Sequence, residues 1–129
     1  MTKKRNPRYW LEKKARRKTP TYPLATIAYY GPDAQFASKV VVGILKNESE
    51  EDVADMRKWF SSGKDVRLDM DINQEILEFI NSHDVESIVM TDRLIGCPHE
   101  EGIDYPLGET CPQCPYWANR DRWTGELIE

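Results

Sequence analysis

The chain's three cysteines, Cys97, Cys111 and Cys114, all fall in one stretch, CPHEEGIDYPLGETCPQCPYW, together with His99, one of its two histidines. The spacing is C-x-H, eleven intervening residues, then C-x-x-C. An odd number of clustered thiols fits a disulfide framework poorly and points to metal ligation or redox chemistry. Zinc asks for four nitrogen or sulfur donors at tetrahedral angles, and two ligand pairs on separate turns, joined by a loop containing Pro and Gly, supply them. The expected cofactor is therefore one zinc per chain, in a closed structural site made by Cys97, His99, Cys111 and Cys114.

The CPQCP piece resembles the knuckle of zinc ribbons and rubredoxin-like sites. The likeness covers only these few residues, and it implies a tight turn that brings both thiolates, and often backbone N–H groups, toward the metal. The CPH opening departs from the zinc-ribbon pattern, which generally begins with a second CxxC-like knuckle. Three other chemistries compete for the same residues. A redox CxxC sits at a helix start that lowers one thiol pKa, an arrangement that Pro115 and the crowding by a third cysteine and a histidine disfavour. An iron–sulfur cluster usually takes more cysteines than this chain has. The run His99-Glu100-Glu101 ahead of Cys111 and Cys114 is similar to the HxE and CxxC elements of zinc deaminases, where water takes the fourth metal position. Here Cys97 offers a fourth protein ligand, and Thr110 stands where a proline is expected.

Charge divides the chain. Residues 1–23 hold nine Lys or Arg against one acidic residue, Glu12, and the remainder holds nine basic against twenty-one acidic residues. A basic arm on an acidic body suggests a polyanionic partner for the arm, nucleic acid or a ribonucleoprotein engaged through residues 3–18. The competing reading is a solvated tail that keeps the protein soluble. Only Tyr9, Trp10, Leu11 and Ala15 interrupt the polar start, so no secretory signal is expected, and the longest apolar run, Val40 to Leu45, is too short to span a bilayer. A cytoplasmic protein with no membrane partner is the expectation.

At 129 residues the chain can bury a core of its own. The division expected is a flexible basic arm over 1–21, an α/β body over 22–95, and a metal-binding segment over 96–129 packed on the body. Leu24 to Tyr30 and Lys39 to Lys46 read as a β-hairpin around Gly31-Pro32-Asp33. Ser49 can cap a helix running to about Ser62, with Val53, Met56 and Phe60 on one face and Gly63 ending it. Val66, Leu68 and Met70 alternate like a third strand. Asp71 and Gln74 resemble a capping box opening a second helix to about Ser82, striped by Ile72, Ile76, Phe79 and Ile80. Ser87 to Met90 reads as a fourth, central strand. The fold class is α/β (α+β), a small mixed sheet of about four strands in ββαβαβ order with two helices and a C-terminal zinc-bound loop.

Other residues carry candidate roles. Asp69 and Asp92 follow predicted strands, where ligands tend to bind, and with Glu100, Glu101 and Asp104 they can form a metal-assisted hydrolytic site; carboxylates so placed more often cap helices or face solvent. Tyr116, Trp117, Trp123, Arg120 and Arg122 can stack on unpaired bases, or the tryptophans can cover the metal site. A structural Cys3His zinc carries one net negative charge that Arg93, Arg120 or Arg122 can offset. His83, in the last turn of its helix, carries no assigned function. The reading that follows is a zinc-binding module for nucleic acid or a ribonucleoprotein. A small metal-dependent enzyme using Asp92, Glu100 or Glu101, and a protein–protein adaptor built on the Gly102 to Gly108 loop, are the alternatives.

Overall fold

A computed structural model describes residues 21–47, 54–61, 63–121 and 126–127. Within them the chain forms strands β1 (Leu24–Tyr30), β2 (Lys39–Leu45) and β3 (Asp55–Phe60), a 3-10 turn (Val66–Leu68), helix α1 (Met70–Ser82), strand β4 (Ser87–Leu94) and a second 3-10 turn (Pro115–Trp117). The strands make one four-stranded sheet in the order β3-β2-β1-β4. β1 pairs antiparallel with β2, β2 antiparallel with β3, and β1 parallel with β4. The sheet is therefore mixed, and α1 carries the chain from one edge to the other.

Strand alternation decides which face is buried. Ala25, Ile27 and Tyr29 of β1 stand opposite Ile44, Val42 and Val40 of β2, and all six are at most 2% exposed. Ile76 and Ile80 of α1 join them in one cluster, with Ile72, Ile88 and Trp59 at its margin. The opposite face of the sheet has no helix on it among the described residues. It carries Thr26, Ala28 and Tyr30 of β1 and Val41 and Gly43 of β2, and leaves Met56, Phe60 and Val89 of the edge strands exposed.

Four expectations are corrected. Residues 55–60 form the edge strand β3 and not a helix; Ser49 and Val53, the start of that expected helix, lie outside the described residues. Met56 and Phe60 sit at helical spacing by coincidence. The backbone instead pairs with the edge of β2 from Ile44↔Asp55 to Lys39↔Phe60. Its helix-side residues then find partners on α1: Arg57 Nη2 donates to Glu75 Oε1 at 3.1 Å, Trp59 packs edge-to-face on Phe79, and Asp55 lies 3.0 Å from His83 Nε2. Residues 66–70 are not a strand: Val66 is buried, whereas Leu68 and Met70 are exposed, and aspartate caps direct the chain into a 3-10 turn and then α1. Asp69, two residues before the expected Asp71, caps α1 by accepting from Ile72 N at 3.0 Å. β4 runs on to Leu94 and lies at an edge, not the centre. Among the described residues the order is thus βββαβ with one α-helix.

Asp65 locks the 3-10 turn to the sheet. Its carboxylate accepts from Ala37 N at 2.9 Å, from Arg67 N at 2.9 Å, and from the Arg67 guanidinium at 2.8 and 2.6 Å. Burial alone pushes this carboxyl up, but the Arg67 contact and the two backbone donors outweigh it and hold it below the usual carboxylate range. A depressed folded-state value means stability that is present above the unfolded carboxyl's ~3.9 and is lost as pH falls through the lower folded value. Asp65→Asn is expected to cost about 1.5–3 kcal/mol at pH 7 and to flatten the acid limb below about pH 4, as read from urea melts across pH.

Candidate metal centre

The sheet delivers Cys97 to its place. Beyond Leu94 the β1–β4 pairing continues, with Ile95 N donating to Tyr29 O at 2.9 Å and Gly31 N donating to Gly96 O at 2.9 Å. Cys97 follows directly. The second ligand pair is anchored through Trp117, whose Nε1 donates to Gly31 O at 2.8 Å. Gly31 therefore ties both halves of the site, through its N–H to Gly96, next to Cys97, and through its C=O to the turn that follows Cys114. A side chain does not fit there: a Cβ on Gly31 would lie 1.8 Å from Phe36 O and 2.6 Å from Leu94 Cδ2.

Cys97, His99, Cys111 and Cys114 converge, with one donor atom from each lying within 4.8 Å of all the others. His99 points Nδ1 inward, 3.1 Å from Cys97 Sγ and 3.5 Å from the Sγ of both Cys111 and Cys114. Metal–sulfur bonds of ~2.3 Å and metal–nitrogen bonds of ~2.0 Å at tetrahedral angles give sulfur–nitrogen edges of about 3.5 Å, close to the separations of His99 from the three sulfurs. Cys111 and Cys114 are buried, Cys97 and His99 half-buried. All three cysteines are free thiols, and His99 N donates to Cys97 Sγ at 3.2 Å. The group can hold a metal ion.

Burial pushes the Cys97 thiol well above its ordinary range, with the neighbouring thiols adding to the effect and the His99 N–H opposing it, and burial pushes the Cys114 thiol up as well. Three thiolates packed together need a cation to exist at neutral pH, which is what a metal supplies. The same upward shift disfavours a redox role. Cys114 opens only a three-residue 3-10 turn with Pro115 at its first position, so no helix N-terminus stabilises a thiolate there.

The acidic residues of the connecting loop are engaged in building it. Asp104 Oδ2 accepts from Glu100 N at 2.7 Å, and Glu101 Oε2 accepts from Gly108 N at 2.6 Å. Glu100 forms an ion pair with Lys58 on β3, and the Lys58 ammonium, with Lys39 beside it, holds the Glu100 carboxyl below the usual range. Asp69 is spent on capping α1. The tip of the loop presents Ile103 and Leu107, 77% and 79% exposed. In the tail, Trp117 packs against the core, and Arg120 lies 4.3 Å from the Tyr116 ring centre with Nε donating to Tyr116 O at 3.0 Å. Trp123 and Arg122 lie outside the described residues, as does the basic arm up to residue 20. His83 caps the C-terminal end of α1 beside Asp55 and the Phe79 ring.

Two contributors carry no motif in the sequence. Gly31 sits in an ordinary turn signal, and Lys39 reads only as the start of a strand. Lys39 is nevertheless buried, and its Nζ donates to the carbonyl of Pro98, between Cys97 and His99, at 3.0 Å. No helix among the described residues is long and apolar enough to cross a membrane. The chain matches no protein-family model, no curated protein and no solved structure.

Proposed function

We propose that Cys97, His99, Cys111 and Cys114 bind one Zn²⁺ as a closed, structural site, and that the domain so stabilised is a binding module for single-stranded nucleic acid or a ribonucleoprotein. The convergence of four protein donors carries the metal reading. Zinc suits a mixed thiolate and imidazole set at tetrahedral angles, and a fourth protein ligand takes the corner that a catalytic zinc gives to water. Elemental analysis of untagged protein tests it directly: one zinc per chain is expected, and metal-free protein with accessible thiols overturns it.

The nucleic-acid reading rests on the basic segment 3–18 and on the exposed Phe60 at the edge of the sheet. An exposed aromatic ring at a sheet edge is a surface on which an unpaired base can stack. The acidic body repels a bulk polyanion, so residues 3–18 supply the attraction. Binding to a fluorescent single-stranded oligonucleotide is expected to fall steeply with salt and to be lost on removal of residues 1–20. Salt-insensitive retention argues against it. A protein–protein adaptor is the second reading, favoured by the exposed Ile103 and Leu107 on the metal-braced loop; it predicts that partner capture survives the truncation.

A further inference from the structure

A closed site of three thiolates and one neutral imidazole around Zn²⁺ keeps one net negative charge, and burying such a charge is costly unless a cation sits near it. Among the arginines expected to serve, Arg93 is exposed, Arg122 is outside the described residues, and Arg120 spreads over Tyr116. A lysine from the far side of the sequence is better placed. Lys39 opens β2 on the open face of the sheet, and its side chain is only 6% exposed. Nζ donates to Pro98 O at 3.0 Å and lies 5.5 and 5.4 Å from the ring centres of Tyr30 and Phe60. The nearest carboxylate, Glu100, is 4.0 Å away and is paired more closely with Lys58. An ammonium that is buried while its carboxylate is held mainly by another lysine has a charge to spare for its surroundings, and the turn it grips is the one that carries Cys97 and His99.

Resting on the metal reading above, we propose that Lys39 is the counter-cation and positioning residue of the metal centre. It fixes the Cys97-Pro98-His99 turn through the Pro98 carbonyl and offsets the negative charge of the occupied site. Retention of the metal then depends on a side chain that makes no bond to it. Partners of this kind, one step removed from the metal, typically change affinity by about 10–100-fold.

The test is competition for Zn²⁺ against a chromophoric chelator at fixed pH, with Co²⁺ spectra as a second readout, on the full chain and its Lys39→Met, Lys39→Gln and Lys39→Arg variants. Lys39→Met is expected to bind about 10–100-fold more weakly than wild type, with the thiolate-to-cobalt charge-transfer band unchanged in position, because the same four ligands remain. Lys39→Gln removes the charge and keeps an N–H donor, one bond shorter in reach; it also carries the comparison if the Met variant does not fold. It is expected to be weakened as well, whereas Lys39→Arg recovers most of the affinity. Wild-type affinity in both neutral variants overturns the inference and leaves the metal reading standing. Equal weakening in the Arg variant assigns the effect to packing and overturns the counter-cation role. A wild-type protein that takes up neither metal overturns the metal reading itself.

Discussion

Cys114→Ser is expected to unfold the C-terminal third of the chain while leaving the hairpin of β1 and β2 the best protected part of the sheet. Structural zinc contributes about 10–16 kcal/mol of apparent binding free energy at neutral pH, as much as the whole stability of an ordinary small domain. Beyond β4, residues 96–121 are tied to the sheet by ladder bonds beside Gly31, by the Trp117 indole, and by the lysine contacts to Pro98 and Glu100. Cys114 is 2% exposed, so its serine replacement leaves a poor ligand in a buried place. Hydrogen exchange followed by NMR gives the clearest readout, because the Trp117 indole N–H donates to a backbone carbonyl in the intact site. Slow exchange of that proton in the metal-loaded protein, and rapid exchange in the variant or after chelation, is the expected pair of results. A variant whose Trp117 proton stays protected would mean that the segment packs without its metal. Acid acts in the same direction: protons compete with the metal for the ligand sulfurs, and burial already favours the neutral form at Cys97 and Cys114, so the metal should be lost as pH falls.

Gly31→Ala is the second change expected to have a large effect, and it does so without touching a ligand. The added methyl would sit 1.8 Å from the backbone oxygen of Phe36, which cannot rotate away as a side-chain tip can. Something must shift, and the nearest things to shift are the turn out of β1 and the Leu94 end of β4. Overpacking of this kind typically costs about 1–3 kcal/mol and more where backbone is the obstacle. The same shift pulls the Gly96 and Trp117 bonds off their partner, so metal affinity should fall together with stability. Urea melts with and without excess Zn²⁺ separate the two contributions. A variant as stable as wild type in both conditions would show that the turn relaxes freely and that Gly31 does not couple the two ligand pairs.

The Cys/His group was the most legible part of the sequence, because ligand chemistry restricts both residue type and spacing, and its four side chains do converge into a cluster that can hold a metal ion. β1 and β2 were nearly as clear, since their β-branched residues face a real core. The errors came where long-range contacts override local pattern. In β3 only Trp59 is buried, and the strand exists because it pairs with β2 and finds Glu75, Phe79 and His83 across the face, partners that no local window contains. Residues 66–70 alternated by accident, whereas the aspartates at 65 and 69 were the better signal, for they cap the 3-10 turn and α1. Gly31 and Lys39 could not be found at all from spacing, because they reach the site only after β1 and β2 have been laid beside β4 and its following turn.

That last dependence sets an order of events. The β1–β2 pairing closes a short loop, whereas Leu24 meets Ser87 only after the chain between them, with β2, β3 and α1, has been gathered in. Contacts so distant along the chain form slowly, since the entropy of closing the loop is lost before the contact returns anything. The two ligand pairs stay apart from their anchors until β4 arrives, so the ion should be captured late, by an almost finished sheet. On a growing chain the metal would then act as a latch: its arrival marks the moment when the exposed margin of β1 has been closed by the correct strand.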